Sequence, residues 1–139
     1  MNRTDFQQLA EVRVHEARIL LEAGCLAGSY YLAGYAVECA LKACIARQTK
    51  QYDFPPDKQR VGQIYEHNPK KLLKAAGLEK DLEEAMRDNK HLERNWAVVL
   101  KWTEESRYEP VRSEGEAKDL FLAITDVHDG VLPWLKKRW

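Results

Sequence analysis

The stretch SYYLAGYAVECALKACIARQ, residues 29–48, decides the fold. The only charged residues in it are Glu38, Lys42 and Arg47. Its apolar residues do not alternate with polar ones and it contains no proline, so the pattern favours a helix over a half-buried strand. A helix that is apolar on nearly all sides has neighbours on nearly all sides, and a helix of this length spans roughly 30 Å. The sequence therefore predicts a central helix around which the other helices pack.

Glu38 is a carboxylate inside this apolar stretch, and Lys42 follows it one helical turn later. The acid comes first, which is the favourable order for an ion pair within a helix. A buried carboxylate needs a partner, because burying an unpaired charge is costly. We predict that Glu38 is paired, and we favour a structural role for Glu38 and Lys42, locking one helix to another, over a chemical role.

Helical patterns flank the central stretch on both sides. Upstream, Thr4 as N-cap and Gln7 match a capping box that opens a first helix, and Gly24 and Gly28 bracket a tight connection to the central helix. Downstream, Asn68 and Pro69 open a short helix that ends at Gly77. Further helical patterns cover residues 80–88 and 91–103, with a break or bend between them.

A last helix is predicted to open at a second capping box, Ser113 to Glu116, and to place Val127 on its inner face. No strand is predicted anywhere in the chain. The expected fold is all-α, an antiparallel up-and-down bundle of four long helices with one or two short extra helices. We expect one domain over residues 1–139.

Residues 51–65 form the most irregular part of the chain, and Pro55-Pro56 within them excludes a continuous helix. A connection of this length often carries function, but it can also simply join two helices. The sequence leaves both interpretations open.

Composition narrows the class of protein. The chain is 45% hydrophobic and 32% charged, which is typical of a folded globular protein. Lys plus Arg and Asp plus Glu both number 22, a balance that argues against a generic nucleic-acid coat but leaves room for a local basic patch. Cys25, Cys39 and Cys44 form no CxxC pair and are interpreted as small core residues in a reducing compartment, not as a disulfide framework or a zinc site. We expect no metal, no cofactor, no membrane span and a cytoplasmic location.

Several segments together resemble the HEPN domain family. The central helix carries a Tyr-x-x-Gly-x-x-x-Glu-x-x-Leu-Lys pattern, supplied here by Tyr31, Gly34, Glu38, Leu41 and Lys42. Further segments match the short third helix and the later part of one HEPN branch: His67-Asn68 with Leu72-Leu73, Ala76-Gly77-Leu78, Asn95-Trp96, and Trp102 followed by Ser106-Arg107-Tyr108. The resemblance covers most of the chain, from Val12 into the last helix.

The resemblance implies a helical bundle that forms homodimers, often beside a small nucleotidyltransferase in a toxin–antitoxin pair. Many members are metal-independent ribonucleases whose motif is Arg, four to six residues, then His. Here Arg94-Asn95 stands where the family places its Arg and polar residue, but no His follows within that window. Arg60 and His67 match the spacing elsewhere, across a loop and a helix cap, and are the remaining candidates for a catalytic pair.

A binding site is a separate possibility. Arg107-Tyr108 joins a charge to a ring, which suits a phosphate and a stacked base. The candidates for contact with a nucleotide or RNA are Arg94, Asn95, Lys101, Arg107 and Tyr108. In the alternative, structural interpretation, Arg107 caps a helix end or pairs with Glu38, and Tyr108 packs on Trp102.

Three functions follow. The leading hypothesis is a non-catalytic HEPN-like dimeric binding module, partner of a small nucleotidyltransferase, with nucleotide or RNA contact. The alternatives are a metal-independent HEPN ribonuclease toxin and a purely structural assembly bundle. The homodimer is also suggested by three tryptophans, which exceed what a small core readily hides: Trp96, Trp102 and Trp134.

Overall fold

A computed structural model describes residues 1–48, residue 62 and residues 65–139. Its helices are α1 (Arg3–Glu22), α2 (Leu26–Gln48), α3 (Pro69–Ala75), α4 (Glu79–Asp88), α5 (Lys90–Leu100), a 3₁₀ helix (Glu104–Tyr108), α6 (Glu114–Thr125) and α7 (Val131–Lys136). No strand occurs in the described part of the chain, and the predicted all-α helical bundle is confirmed. The irregular segment predicted at residues 51–65 lies almost entirely outside the described residues.

The apolar helix α2 is the centre of the structure, as predicted. It packs against α1, α3, the 3₁₀ helix, α6 and α7. Its buried surface is built mainly from small side chains, which let neighbouring backbones approach closely. The largest contact is with α1, and Gly24 in the turn between them adopts a φ of +78°. The Ser29 hydroxyl ties the two helices together by donating to the Ala17 carbonyl at 2.7 Å.

Gly34 on α2 is where the segment after α5 crosses the central helix. A β-carbon built on Gly34 would lie 2.2 Å from Nε1 of Trp102, so the indole occupies the space that a side chain would fill. Trp102 is 1% exposed, and the Tyr31 ring stacks on it with a centroid separation of 6.2 Å. This close approach fixes the 3₁₀ helix beside α2 and thereby positions its side chains near Glu38.

Helix α1 begins earlier than the sequence pattern suggested. Its N-cap is Asn2, which accepts from the backbone N–H of Asp5, while the Asp5 carboxylate accepts from the backbone N–H of Asn2 at 2.8 Å. The predicted N-cap at Thr4 is therefore wrong. Two capping boxes overlap in this sequence, and the one that closes with a charged carboxylate makes the stronger hydrogen bonds.

The long helix predicted after Ser113 is interrupted. Asp126 ends α6 because its Oδ1 accepts the backbone N–H groups of His128 and Asp129, at 3.0 and 2.7 Å. Val127 lies in this turn and is 81% exposed, so its predicted place on the inner face is wrong. A side chain that accepts hydrogen bonds from neighbouring backbone N–H groups competes with the helical hydrogen bonds, and here it ends the helix.

The tryptophans do not require a partner surface in the way the sequence suggested. Trp96 and Trp102 are buried within the chain, and the Trp134 ring is part-buried, with the Arg138 guanidinium 3.7 Å from its centroid. The argument that these rings exceed the capacity of a small core is wrong, because the bundle encloses Trp96 and Trp102. In the described residues, none of the helices has the length and apolar character needed to cross a membrane.

The three thiols differ sharply in accessibility, which leads to a prediction. Burial raises the pKa of Cys39 to about 12 and that of Cys44 to about 11. Cys25 is exposed in the α1–α2 turn, so its predicted place in the core is wrong. The thiolate is the reactive species, so we expect a thiol reagent at neutral pH to modify Cys25 alone in the folded protein. Counting modified thiols before and after adding denaturant checks this, and rapid modification of Cys39 or Cys44 without denaturant would contradict it.

Candidate functional site

Glu38 is paired, as predicted, and its partners come from two elements. The carboxylate belongs to a residue that is 1% exposed. Its Oε1 accepts from Lys42 Nζ at 2.9 Å and faces His67 Nδ1 at 2.8 Å. His67 immediately precedes the cap of α3, so this contact joins α2 to the start of α3. Glu38 therefore contacts side chains from α2 and from the residue before the cap of α3, and its carboxylate lies against the ring of His67.

The backbone around His67 is held by its neighbour Glu66. One carboxylate oxygen of Glu66 accepts from the backbone N–H groups of Asn68 and His67, each at 3.0 Å, and these bonds lower the pKa of Glu66. On the far side of the ring, Nε2 of His67 lies 3.2 Å from Oε2 of Glu104. Both ring nitrogens thus lie close to carboxylate oxygens.

Glu104, the first residue of the 3₁₀ helix, links His67 to Arg107. Its Oε1 lies 2.9 Å from Nη1 of Arg107, and Nη2 of Arg107 donates to the Tyr108 hydroxyl at 2.7 Å. The guanidinium also lies 4.7 Å from the centroid of the Tyr108 ring, which is the geometry of a cation–π contact. The hydrogen bond to Tyr108 raises the pKa of Arg107. An arginine is charged at neutral pH in any case.

These contacts form a continuous series from the core to the surface. It begins at a part-buried lysine on α2 and ends at a tyrosine that is 73% exposed. We call it the polar chain: Lys42, Glu38, His67, Glu104, Arg107 and Tyr108. It unites residues that the sequence had assigned to three different roles, namely structural, catalytic and binding.

The remaining predicted site residues lie elsewhere. Arg94 and Lys101 are exposed, on α5 and at its C-terminal cap. Asn95 donates to the Asp129 carbonyl at 2.8 Å and so ties α5 to the turn after α6. It also lines a cavity of about 300 Å³ whose polar groups include three carboxylates: Asp119, Asp126 and Asp129. Arg60 lies outside the described residues.

The structural interpretation of Arg107 and Tyr108 is wrong in its details. Arg107 pairs with Glu104 and reaches Glu38 only through Glu104 and His67. Tyr108 is exposed and does not pack on Trp102, whose stacking partner is Tyr31. Both residues therefore remain available to a ligand on the surface.

Glu104 is the site residue that the sequence analysis missed. Its spacing to Arg107, three residues on one helical turn, was a usable signal for an ion pair. Its contact with His67 carried no such signal, because it depends on where the 3₁₀ helix packs. Among the described residues, no three side chains of His, Cys, Asp or Glu are grouped so that they could hold a metal ion.

The arrangement suits recognition of an anion better than proton transfer. Arg107 offers a permanent cation and Tyr108 an exposed ring, the groups that bind phosphate and stack a base. Nε2 of His67 lies 3.2 Å from the Glu104 carboxylate, an anion and not a group from which a base removes a proton.

The chain matches the model of one known protein family. The family model for the HEPN domain matches residues 5–134, from the first turns of α1 into α7. No curated protein and no solved structure matches the chain. The match covers nearly the whole chain and includes every residue of the polar chain. The chain belongs to the HEPN domain family.

Proposed function

We propose that this protein is a non-catalytic HEPN module that binds RNA or a nucleotide through Arg107 and Tyr108. The observation that carries the proposal is the exposed pair itself: the Arg107 guanidinium lies 4.7 Å from the centroid of the Tyr108 ring and donates to its hydroxyl at 2.7 Å. The family has both ribonuclease and nucleotide-binding members, and in this chain no His follows Arg94 within the spacing of the ribonuclease motif.

Cleavage of RNA by attack of its 2′-hydroxyl needs a group that accepts a proton near neutral pH, and histidine suits this role. His67 is the histidine of the polar chain, and its Nε2 faces an anion, the Glu104 carboxylate, where a base would have to face the 2′-hydroxyl. Arg107 stays protonated and cannot replace it. The loss of a free base leaves binding intact, because phosphate recognition needs only fixed donors and positive charge.

The binding proposal predicts which substitutions matter. Arg107→Ala and Tyr108→Ala are each expected to weaken binding of a labelled single-stranded RNA by about tenfold, through loss of a phosphate contact or of base stacking. Arg107→Ala should also reduce the salt dependence by about one phosphate contact. Fluorescence anisotropy at several salt concentrations measures both, and Arg87→Ala, an exposed arginine on α4, is the control with the same charge change.

The same RNA tests for cleavage. In the presence of a chelator we expect the oligonucleotide to stay intact on a denaturing gel. Robust cleavage that disappears in His67→Ala and in Arg60→Ala would contradict the proposal and favour the ribonuclease toxin. If Arg107→Ala and Tyr108→Ala each bind the RNA as strongly as the parent protein does, the ligand binds elsewhere.

We further propose that the module acts as a homodimer beside a small nucleotidyltransferase. The family supports dimerisation, and Val12 and Ile19 leave apolar surface half exposed on one face of α1. Light scattering at micromolar concentration is expected to give twice the 16.1 kDa of the chain, and a value of 16.1 kDa would refute the dimer.

A nucleotidyltransferase gene next to this one, whose product co-purifies with the protein, would support the partner. Absence of both RNA binding and that partner would favour the assembly bundle.

A further inference from the structure

We propose that the carboxylate of Glu104 occupies an anion site formed by His67 and Arg107, and that a phosphate group of the ligand takes its place on binding. The inference rests on the proposed binding function and specifies how its site is regulated. Glu104 is then an internal competitor that holds the site in a low-affinity state until a phosphate displaces it.

The contacts of Glu104 are those expected of a bound phosphate. One oxygen lies 3.2 Å from Nε2 of His67 and the other lies 2.9 Å from Nη1 of Arg107. A single oxyanion therefore bridges an imidazole and a guanidinium, and a phosphate oxygen pair bridges two nitrogen donors in the same way. All three side chains are partly exposed, so a ligand can reach the position from solvent.

The two donors are oriented by groups other than Glu104. His67 is held from behind by Glu38, which is buried and is itself bonded to Lys42. Arg107 is held by the hydroxyl and the ring of Tyr108. When Glu104 leaves, both nitrogens keep these supports, so the anion site is already formed before the ligand arrives.

The side chain of Glu104 is placed so that it can rotate out of the anion site. Glu104 is the first residue of the 3₁₀ helix, after Thr103 in an extended conformation, and its side chain is about one-quarter exposed. Rotation into water returns the carboxylate to full hydration and exposes the donors. A site that is open only part of the time binds with an affinity reduced by that fraction, so removing the internal anion should raise the affinity.

Glu104→Gln tests this, because it keeps the shape of the side chain and removes its charge. The probe is a labelled single-stranded RNA carrying a 5′-phosphate, at fixed salt and neutral pH. We expect binding to tighten by about tenfold relative to the parent. Glu105→Gln is the matched control, since Glu105 is the adjacent, exposed carboxylate with the same change in net charge, and it should alter binding by less than about twofold.

The tightening should also require the two donors. Arg107→Ala or His67→Gln, each combined with Glu104→Gln, should abolish the gain, and circular dichroism confirms that each variant is folded. Competition by inorganic phosphate, a mononucleotide and an RNA lacking the 5′-phosphate identifies whether a terminal or a backbone phosphate occupies the site.

These measurements distinguish failure of the internal-competitor proposal from failure of the proposed binding function. If Glu104→Gln changes nothing, or tightens binding no more than Glu105→Gln does, the internal competitor is refuted while RNA binding by the parent upholds the proposed function. If neither the parent nor Glu104→Gln binds RNA, mononucleotide or phosphate, both proposals are overturned.

Discussion

Gly34→Ala is expected to destabilise the fold by about 3 kcal/mol or more, because the new methyl group would overlap a packed ring. The added β-carbon would lie 2.2 Å from Nε1 of Trp102 and 2.3 Å from two further ring atoms. The ring cannot move aside easily, since Tyr31 stacks on it and it is 1% exposed. The gain in helix propensity from Gly to Ala, about 1 kcal/mol, is too small to offset the overlap.

Gly28→Ala is the matched control for this change. Gly28 lies in the same helix, and the nearest atom to its added β-carbon is Leu20 Cδ1 at 3.4 Å, an ordinary contact. We expect a neutral effect or stabilisation by up to about 1 kcal/mol. Urea unfolding followed by tryptophan fluorescence measures both variants. A Gly34→Ala protein as stable as the parent would show that Trp102 does not lie against α2.

Glu38→Ala is expected to cost about 2 to 4 kcal/mol, because it leaves a cation without its partner in the protein interior. Lys42 has a side chain that is only 12% exposed and loses its 2.9 Å contact, while His67 loses the group that orients it. The cost therefore arises from an uncompensated buried charge more than from the pair itself.

The control for Glu38→Ala is Glu93→Ala. Glu93 makes a 2.8 Å ion pair with Lys90 on α5, but both side chains are at least half exposed. Surface pairs of this kind contribute less than about 1 kcal/mol, so the free energy of unfolding should hardly change. Equal losses in the two variants would mean that Glu38 is not buried with its partners.

The centre of the fold was predictable because it depends on local pattern. The apolar stretch containing Glu38 and Lys42 identified α2, and their spacing predicted an ion pair that the structure contains. The break after α6 was missed, because the Asp126 side chain captures two backbone donors and no periodic pattern reveals that.

The candidate site was only partly predictable. His67 and Arg107 were singled out separately, one as a catalytic candidate and one as a phosphate contact. Glu104 joins them, and it does so only because Trp102 packs on Gly34 and brings the 3₁₀ helix alongside α2. Contacts between elements distant in the chain have no signature in a single sequence, whereas helical spacing does.

The polar chain also bears on how the protein folds. The α1–α2 hairpin unites segments that are adjacent in sequence, whereas Glu38 and His67 are separated by 29 residues. Closing the longer loop costs more chain entropy, so we expect the hairpin to be present in the folding transition state and the Glu38–His67 contact to form after it. Changes in such late contacts act mainly on the unfolding rate. We therefore expect loss of the Glu38 carboxylate to raise the unfolding rate and to leave the folding rate nearly unchanged.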